Sequence, residues 1–161
     1  MKNCGTQRIE TDRLILRRYV IEDADAMYKN WASDSEVTKF LTWQPHSSVE
    51  VSRSIIENWL KEYSDEKYYQ WAIVLKANGI SVGQMNEDIS MVHIGYCLGR
   101  AWWRRGIMSE ALKAVMDFMF DTVEVNRVES RHDPMNPNSG KVMQKCGMKY
   151  EGTLRSADRN N

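Results

Sequence analysis

Residues 91–111 read Met91-Val92-His93-Ile94-Gly95-Tyr96-Cys97-Leu98-Gly99-Arg100-Ala101-Trp102-Trp103-Arg104-Arg105-Gly106-Ile107-Met108-Ser109-Glu110-Ala111. Two periodicities meet in this stretch. Met91 to Leu98 alternates, with Val92, Ile94, Tyr96 and Leu98 on one face and His93, Gly95 and Cys97 on the other, as a strand requires. From Met108 onward the apolar residues Met108, Ala111, Leu112, Val115, Phe118 and Met119 recur at helical spacing and form a broad stripe. A strand that feeds a helix through such a turn aims the free N–H groups of the first helical turn at one point, and the positive end of the helix dipole adds to them. This geometry favours phosphate. Arg104 and Arg105 add two cations, and Gly106 lets a ligand approach backbone that a Cβ would screen. The same residues also fit an ordinary strand–helix turn with its arginines in solvent.

Two better-known phosphate loops do not fit. Ile107 follows Gly106 where a P-loop needs lysine, and no GxGxxG occurs in the chain, so neither an ATPase nor a nicotinamide enzyme is indicated. Outward from the turn, Arg127 to Arg131 reads as a strand parallel to the one ending at Leu98, because a helical crossover joins them. A helix from about Asn138 to Cys146 ends at Gly147, and Tyr150 to Leu154 reads as a further strand. Toward the N-terminus, Arg13 to Arg17 is a first strand and Ile21 to Ala32 a helix. A second helix starts near Ser48, with Val51, Ile55, Ile56, Trp59 and Leu60 on one stripe. Tyr69 to Leu75 and Ile80 to Met85 form a hairpin about Asn78-Gly79. Asn86-Glu87-Asp88 reads as a solvated turn. The order β-α-α-β-β-β-α-β-α-β describes an α/β (α+β) fold with a mixed sheet.

At 161 residues, with 42% apolar and 27% charged positions, the chain is sized for one globular domain spanning 1–161. Twenty-two Lys and Arg balance 22 Asp and Glu, which argues against a non-specific nucleic-acid binder as that class carries a basic excess. Three dispersed cysteines (Cys4, Cys97, Cys146) build neither a disulfide framework nor a metal knuckle, and His46 and His132 show no ligand spacing, so no metal is expected. No apolar run is long enough for a bilayer and no signal peptide opens the chain, so no membrane partner and a cytoplasmic location are expected.

Four segments in register resemble the GNAT superfamily, in its branch of ribosomal-protein N-terminal acetyltransferases. They are Ile9-Glu10-Thr11-Asp12-Arg13-Leu14-Ile15-Leu16-Arg17, Ile94-Gly95-Tyr96-Cys97-Leu98, Trp103 to Ala111, and Asn136-Pro137-Asn138-Ser139 ahead of Gly147. The resemblance implies a mixed, mostly antiparallel sheet flanked by helices, with a central parallel strand pair that splays apart. It implies acetyl-CoA as co-substrate and a primary amine as acceptor. The chain also departs from the superfamily pattern. Of the loop Q/R-x-x-G-x-G/A only Gly106 fits, with Trp103 and Met108 at the first and last places. Met143 stands where many members carry a tyrosine acid, seven residues after Asn136. Members usually close the sheet with one more strand than the one at Tyr150 to Leu154, and the polar Ser156 to Asn161 do not supply it. The C-terminal strand is thus expected to be missing, and either the sequence is part of a longer polypeptide or a homodimer, the commoner solution, covers the open edge with a second copy.

The resemblance assigns roles residue by residue. The N–H groups from Arg104, Arg105, Gly106, Ile107, Met108 and Ser109 would hold the cofactor's pyrophosphate, and the backbone of Tyr96, Cys97 and Leu98 would pair with its pantetheine arm. An N–H near Cys97 or Leu98 would face the oxyanion. His93, whose free imidazole titrates near 6.5, is the candidate base, with Glu87 and Asp88 behind it. Ser139 is the candidate donor to the departing thiolate, or a helix cap. Asn136 is a candidate cofactor partner, or a turn opener. Cys97, with no His-Asp pair near it in sequence, reads as packing. Trp31, Trp43 and Tyr28 fall in the two-helix insert on the acceptor side, and of these Trp43 reads as loop-borne. Acceptor readings divide into a protein N-terminus such as that of a ribosomal protein and a small amine. A non-catalytic acyl-CoA-binding module is the alternative of another class.

Overall fold

Strand β3 (Tyr69–Leu75) explains the architecture, because apart from Gln70 its side chains are apolar on both faces and both faces are covered. Tyr69, Trp71 and Ile73 enter one core cluster, while Ala72 and Val74 enter the other. In the computed structural model, which describes residues 1–88 and 92–155, five antiparallel strands lie in the order β1-β2-β3-β4-β5. The others are β1 (Ile9–Glu10), β2 (Leu14–Arg17), β4 (Ser81–Asp88) and β5 (His93–Leu98). The β3–β4 turn forms at the expected dipeptide, where the Asn78 side-chain oxygen accepts the Ile80 N–H at 3.0 Å.

On one face lie α1 (Asp23–Met27), α2 (Ser35–Thr38) and α3 (Val49–Glu62), packed through Ala24, Met27, Trp31 and Ile56. Arg17 holds α1 to the sheet with two bonds to the buried Asp23 carboxylate, at 2.7 and 2.8 Å. The single helix expected over Ile21–Ala32 instead widens into a π-helical turn at Tyr28–Ala32. That turn presses its backbone against the end of β5. A Cβ on Gly99 would lie 2.4 Å from the Asn30 carbonyl oxygen, so the close approach needs glycine.

The other face carries α4 (Ile107–Phe118), a π-helical turn at Met119–Val123, and α5 (Pro137–Lys145). Ile107, Met108, Ala111, Leu112, Val115 and Met119 are the buried stripe of α4. Phe118 stays half-buried at its margin, edge-on to Trp71 with ring centroids 5.9 Å apart.

Three sequence expectations are corrected. Asn86-Glu87-Asp88 is not a turn: it continues β4, with Glu87 between Tyr69 and Ile94, because pairing on both sides outweighs the polar composition. Arg127–Arg131 runs parallel to β5 but meets it in one bridge, His93 to Glu129. Ile94 donates to the Glu129 carbonyl and Glu129 to that of Val92, both at 2.8 Å. The flanking Arg127 and Arg131 turn to the Glu129 carboxylate instead of extending the ladder. Tyr150–Leu154 forms no strand. Tyr150 and Leu154 are exposed, and the segment is tied by the Arg127–Glu151 ion pair at 2.5 Å. Met91 and the segment 156–161, on which other expectations fell, lie outside the described residues. Among the described residues no helix is long and apolar enough to cross a membrane.

Candidate active site

The turn between β5 and α4 is built from two left-handed residues, Arg104 (φ +61°) and Gly106 (φ +74°). Gly106 is the N-cap of α4, and no side chain caps the helix, so its first N–H groups are left for another partner. Ile107 and Met108 bury their side chains and can offer only backbone here, whereas Arg104 and Arg105 are exposed. Trp103 ties the turn down by donating its indole N–H to the Leu98 carbonyl at 2.7 Å.

Two further cations stand at the same point. An added Cβ on Gly106 would lie 3.4 Å from an Arg13 guanidinium nitrogen and 4.0 Å from the Lys145 ammonium. Arg13 is aimed there by Glu110, which accepts its Nε–H at 2.6 Å and its backbone N–H at 3.0 Å, and by the Arg105 carbonyl at 2.9 Å. Burial pulls the Glu110 carboxyl up. The bonds from Thr11 and Arg13 outweigh it and hold the group below its ordinary range. Sequence reading missed Arg13 and Lys145 because each is brought in from a distant element. Uncapped N–H groups with Arg13 and Lys145 beside them, in a turn that also carries the exposed Arg104 and Arg105, fit a pyrophosphate.

The outer edge of β5 opens immediately beyond the bridge. Ser130 Oγ donates to the Ile94 carbonyl at 2.8 Å, closing the point where the two chains part. Backbone groups alternate sides along a strand, so Tyr96 and Leu98 turn theirs to the same open edge as Ile94. Cys97 does not. Its backbone faces β4 in register with Gln84, and its thiol is buried on the α1–α3 face, where burial pushes it up to about 12. Cys97 is therefore a packing residue, and an extended ligand laid on this edge would meet Tyr96 and Leu98.

Beside the edge, the Tyr96 hydroxyl lies 3.0 Å from both Ser139 Oγ and the Ser139 carbonyl oxygen. Ser139 is not the cap of α5. That position belongs to Asn136, whose side chain makes no cap bond and whose carbonyl accepts the Ser139 N–H at 3.2 Å. Met143 is buried in the core. Burial pushes the Tyr96 phenol up to about 12, with Ser139 partly offsetting it, so the phenol stays protonated across the neutral range.

His93 lies on the opposite face of β5, three residues or about 10 Å along the strand from Tyr96. It stands in register with Asp88 on one side and Glu129 on the other. Trp43, in the loop between α2 and α3, lies half-buried against His46, with ring centroids 5.3 Å apart. Among the described residues no three His, Cys, Asp or Glu side chains are grouped to hold a metal.

Glu87 is a separate matter. It is buried on the α4 face, and neither carboxylate oxygen meets a hydrogen-bond partner among the described residues. Burial, with Asp88 adding to it, raises its carboxyl from 4.5 to about 7. A raised folded-state value means stability that is fully present below the unfolded value and lost as pH climbs through the folded one. The stability difference between wild type and Glu87→Gln should thus move by about 3 kcal/mol in the variant's favour between about pH 4 and about pH 8. Urea unfolding across that range measures it, and a constant difference would place Glu87 in a solvated setting.

A cationic cradle at a helix start, an open strand edge leading away from it and a hydroxyl pair beside that edge suit transfer of a group carried on a long phosphorylated arm. Comparison with known proteins specifies the class. The Acetyltransferase (GNAT) domain family matches residues 13–149. An uncharacterized N-acetyltransferase, p20, of Bacillus licheniformis is 30% identical over 158 residues, which cover 95% of this chain and 88% of that protein. The ribosomal protein uS5-alanine N-acetyltransferase of Escherichia coli is 26% identical, over 93% of this chain and 82% of that protein. The solved structure of RimL, a ribosomal L7/L12 alpha-N-protein acetyltransferase, in complex with coenzyme A shares the fold at a TM-score of 0.83 and 20% identity, covering 96% of this chain and 91% of that one. The chain belongs to the GNAT family and is an acetyl-CoA-dependent acetyltransferase.

Proposed function

We propose that the acceptor is the N-terminal α-amino group of a protein, such as a ribosomal protein, and that the reaction takes place in the cytoplasm within the one domain the chain forms. The observation that carries the reading is the uncapped start of α4 at one end of β5, with the Tyr96–Ser139 hydroxyl pair beside the same strand. Likeness to the uS5-alanine enzyme supports the acceptor class.

In this reading the N–H groups of Arg104 to Ser109 hold the pyrophosphate, with Arg104, Arg105, Arg13 and Lys145 neutralising it. Asn136, its side chain not used as a cap, bonds the cofactor. The pantetheine arm pairs with Tyr96 and Leu98 as an added strand. Their N–H groups also face the oxyanion that forms when the amine attacks the thioester. His93, on the acceptor face, takes the ammonium proton through a water. Ser139 meets the sulfur as it leaves. Self-association as a homodimer belongs to the same reading, supported by exposed Met135, Tyr150 and Leu154 beyond the parted strands.

The test is release of free CoA thiol from acetyl-CoA with alanine- and serine-initiated peptides, the same peptides blocked at the N-terminus, and small primary amines. Free peptides should gain one acetyl group and blocked ones none. Turnover confined to small amines would replace the acceptor, and binding of acetyl-CoA without turnover of any amine would make the protein an acyl-CoA-binding module.

A further inference from the structure

Tyr96 and Ser139 share a hydrogen-bond geometry with a consequence for the leaving group. The phenol oxygen is 3.0 Å from Ser139 Oγ and 3.0 Å from the Ser139 carbonyl oxygen. The carbonyl can only accept, and each hydroxyl has one proton to give. Two arrangements satisfy both groups. In the first, Tyr96 donates to the carbonyl and Ser139 Oγ donates back to the phenol oxygen, so the serine's proton is turned away from the strand edge. In the second, Tyr96 donates to Ser139 Oγ, and the serine's proton is free to point elsewhere. Only the second lets Ser139 donate to a neighbouring sulfur.

We infer that Tyr96 is the positioning residue for Ser139, and that exchange of the phenol's donor bond from the Ser139 carbonyl to Oγ releases the serine proton toward the departing thiolate. The inference rests on the reading that Ser139 meets that sulfur. When the tetrahedral adduct collapses, the C–S bond breaks and its electron pair stays on sulfur. The ammonium's first proton has gone through the water to the base before attack and on to solvent, and the second leaves the adduct nitrogen by the same water as the carbonyl re-forms, so charge is conserved with sulfur departing as thiolate, held by the Ser139 hydroxyl until it leaves. No proton need leave the pair, since both hydroxyls only redirect the bonds they already make. A phenol raised by burial remains a donor throughout. The half-buried setting of both residues limits competing water while leaving the serine partly accessible. This arrangement also supplies a phenol where Met143 offers none, from a strand rather than from α5.

The experiment is a double-mutant cycle of Tyr96→Phe and Ser139→Ala, read as kcat and as acetyl-CoA affinity by calorimetry. Both an alanine-initiated peptide and saturating n-propylamine serve as acceptors, so the outcome does not hang on acceptor identity. Tyr96→Phe should lower kcat by about tenfold and Ser139→Ala by about tenfold to a hundredfold, with acetyl-CoA affinity within about twofold in each. With Ser139 already alanine, adding Tyr96→Phe should change kcat by less than about twofold. Loss of the full Tyr96 factor in that background would show that the phenol acts independently and would overturn the inference. So would a Tyr96→Phe protein with wild-type kcat beside a slowed Ser139→Ala protein, which leaves the proposed role of Ser139 standing. A Ser139→Ala protein with undiminished kcat would remove that role and the inference together.

Discussion

Valine at position 106 is expected to weaken acetyl-CoA binding by about tenfold to a hundredfold, since holding a non-glycine residue in the left-handed region costs about 1–3 kcal/mol. Gly106 sits at φ +74°, and its place at the N-cap of α4 sets the direction of the helix's first N–H groups. A β-branched residue resists that conformation more than most. If the turn relaxes to relieve the strain, the N–H groups disperse and the cradle is lost. If it does not relax, the Cβ stands 3.4 Å from the Arg13 guanidinium and crowds the cation that faces the same point. Asparagine tolerates the left-handed region, so Gly106→Asn should retain more affinity than Gly106→Val despite its larger polar head. Calorimetric titration of each variant, at temperatures where melting shows it folded, makes the comparison. Equal affinity in folded Gly106→Val would move the phosphate contacts elsewhere.

The success of sequence reading at this turn has a local cause. Strand alternation through His93–Leu98, the positive-φ glycine and the helical stripe from Ile107 all lie within about two dozen consecutive residues, and each is dictated by near neighbours. What lay beyond reach depended on pairings distant in the chain. Arg13 meets Glu110 across 97 positions and Tyr96 meets Ser139 across 43, so neither Arg13's place at the turn nor the phenol beside the serine carried a local signal. Glu87 shows the same limit in the opposite sense. Its polar neighbours suggested a turn, but cross-strand contacts with Tyr69 and Ile94 extended β4 through it and left a carboxyl buried. The sheet's parallel contact was legible in direction but not in extent. A run of five residues after a helical crossover looks the same whether it pairs throughout or meets its neighbour once, and here Ser130 ends the contact by bonding to Ile94.

Alanine at position 93 is expected to lower kcat/KM by about a hundredfold to ten-thousandfold, the range over which a positioned general base contributes. His93 stands on the face of β5 opposite Tyr96, whose hydroxyl meets Ser139, so in the proposed reading the base and the leaving-group donor lie on opposite sides of the strand. That separation suits the chemistry, because the amine arrives from one side of the thioester and sulfur departs toward the other. The wild-type kcat/KM should rise with pH as the base is unmasked, and that rising limb should vanish in His93→Ala. Glu87, with its carboxyl near 7, could produce a limb in the same region. It is a different case in space, since Glu87 faces α4, on the side of the sheet opposite His93. Glu87→Gln should therefore keep the limb while changing the pH dependence of stability. A limb that survives in His93→Ala but disappears in Glu87→Gln would make the buried carboxylate the base, and would require the acceptor to reach it from the α4 face.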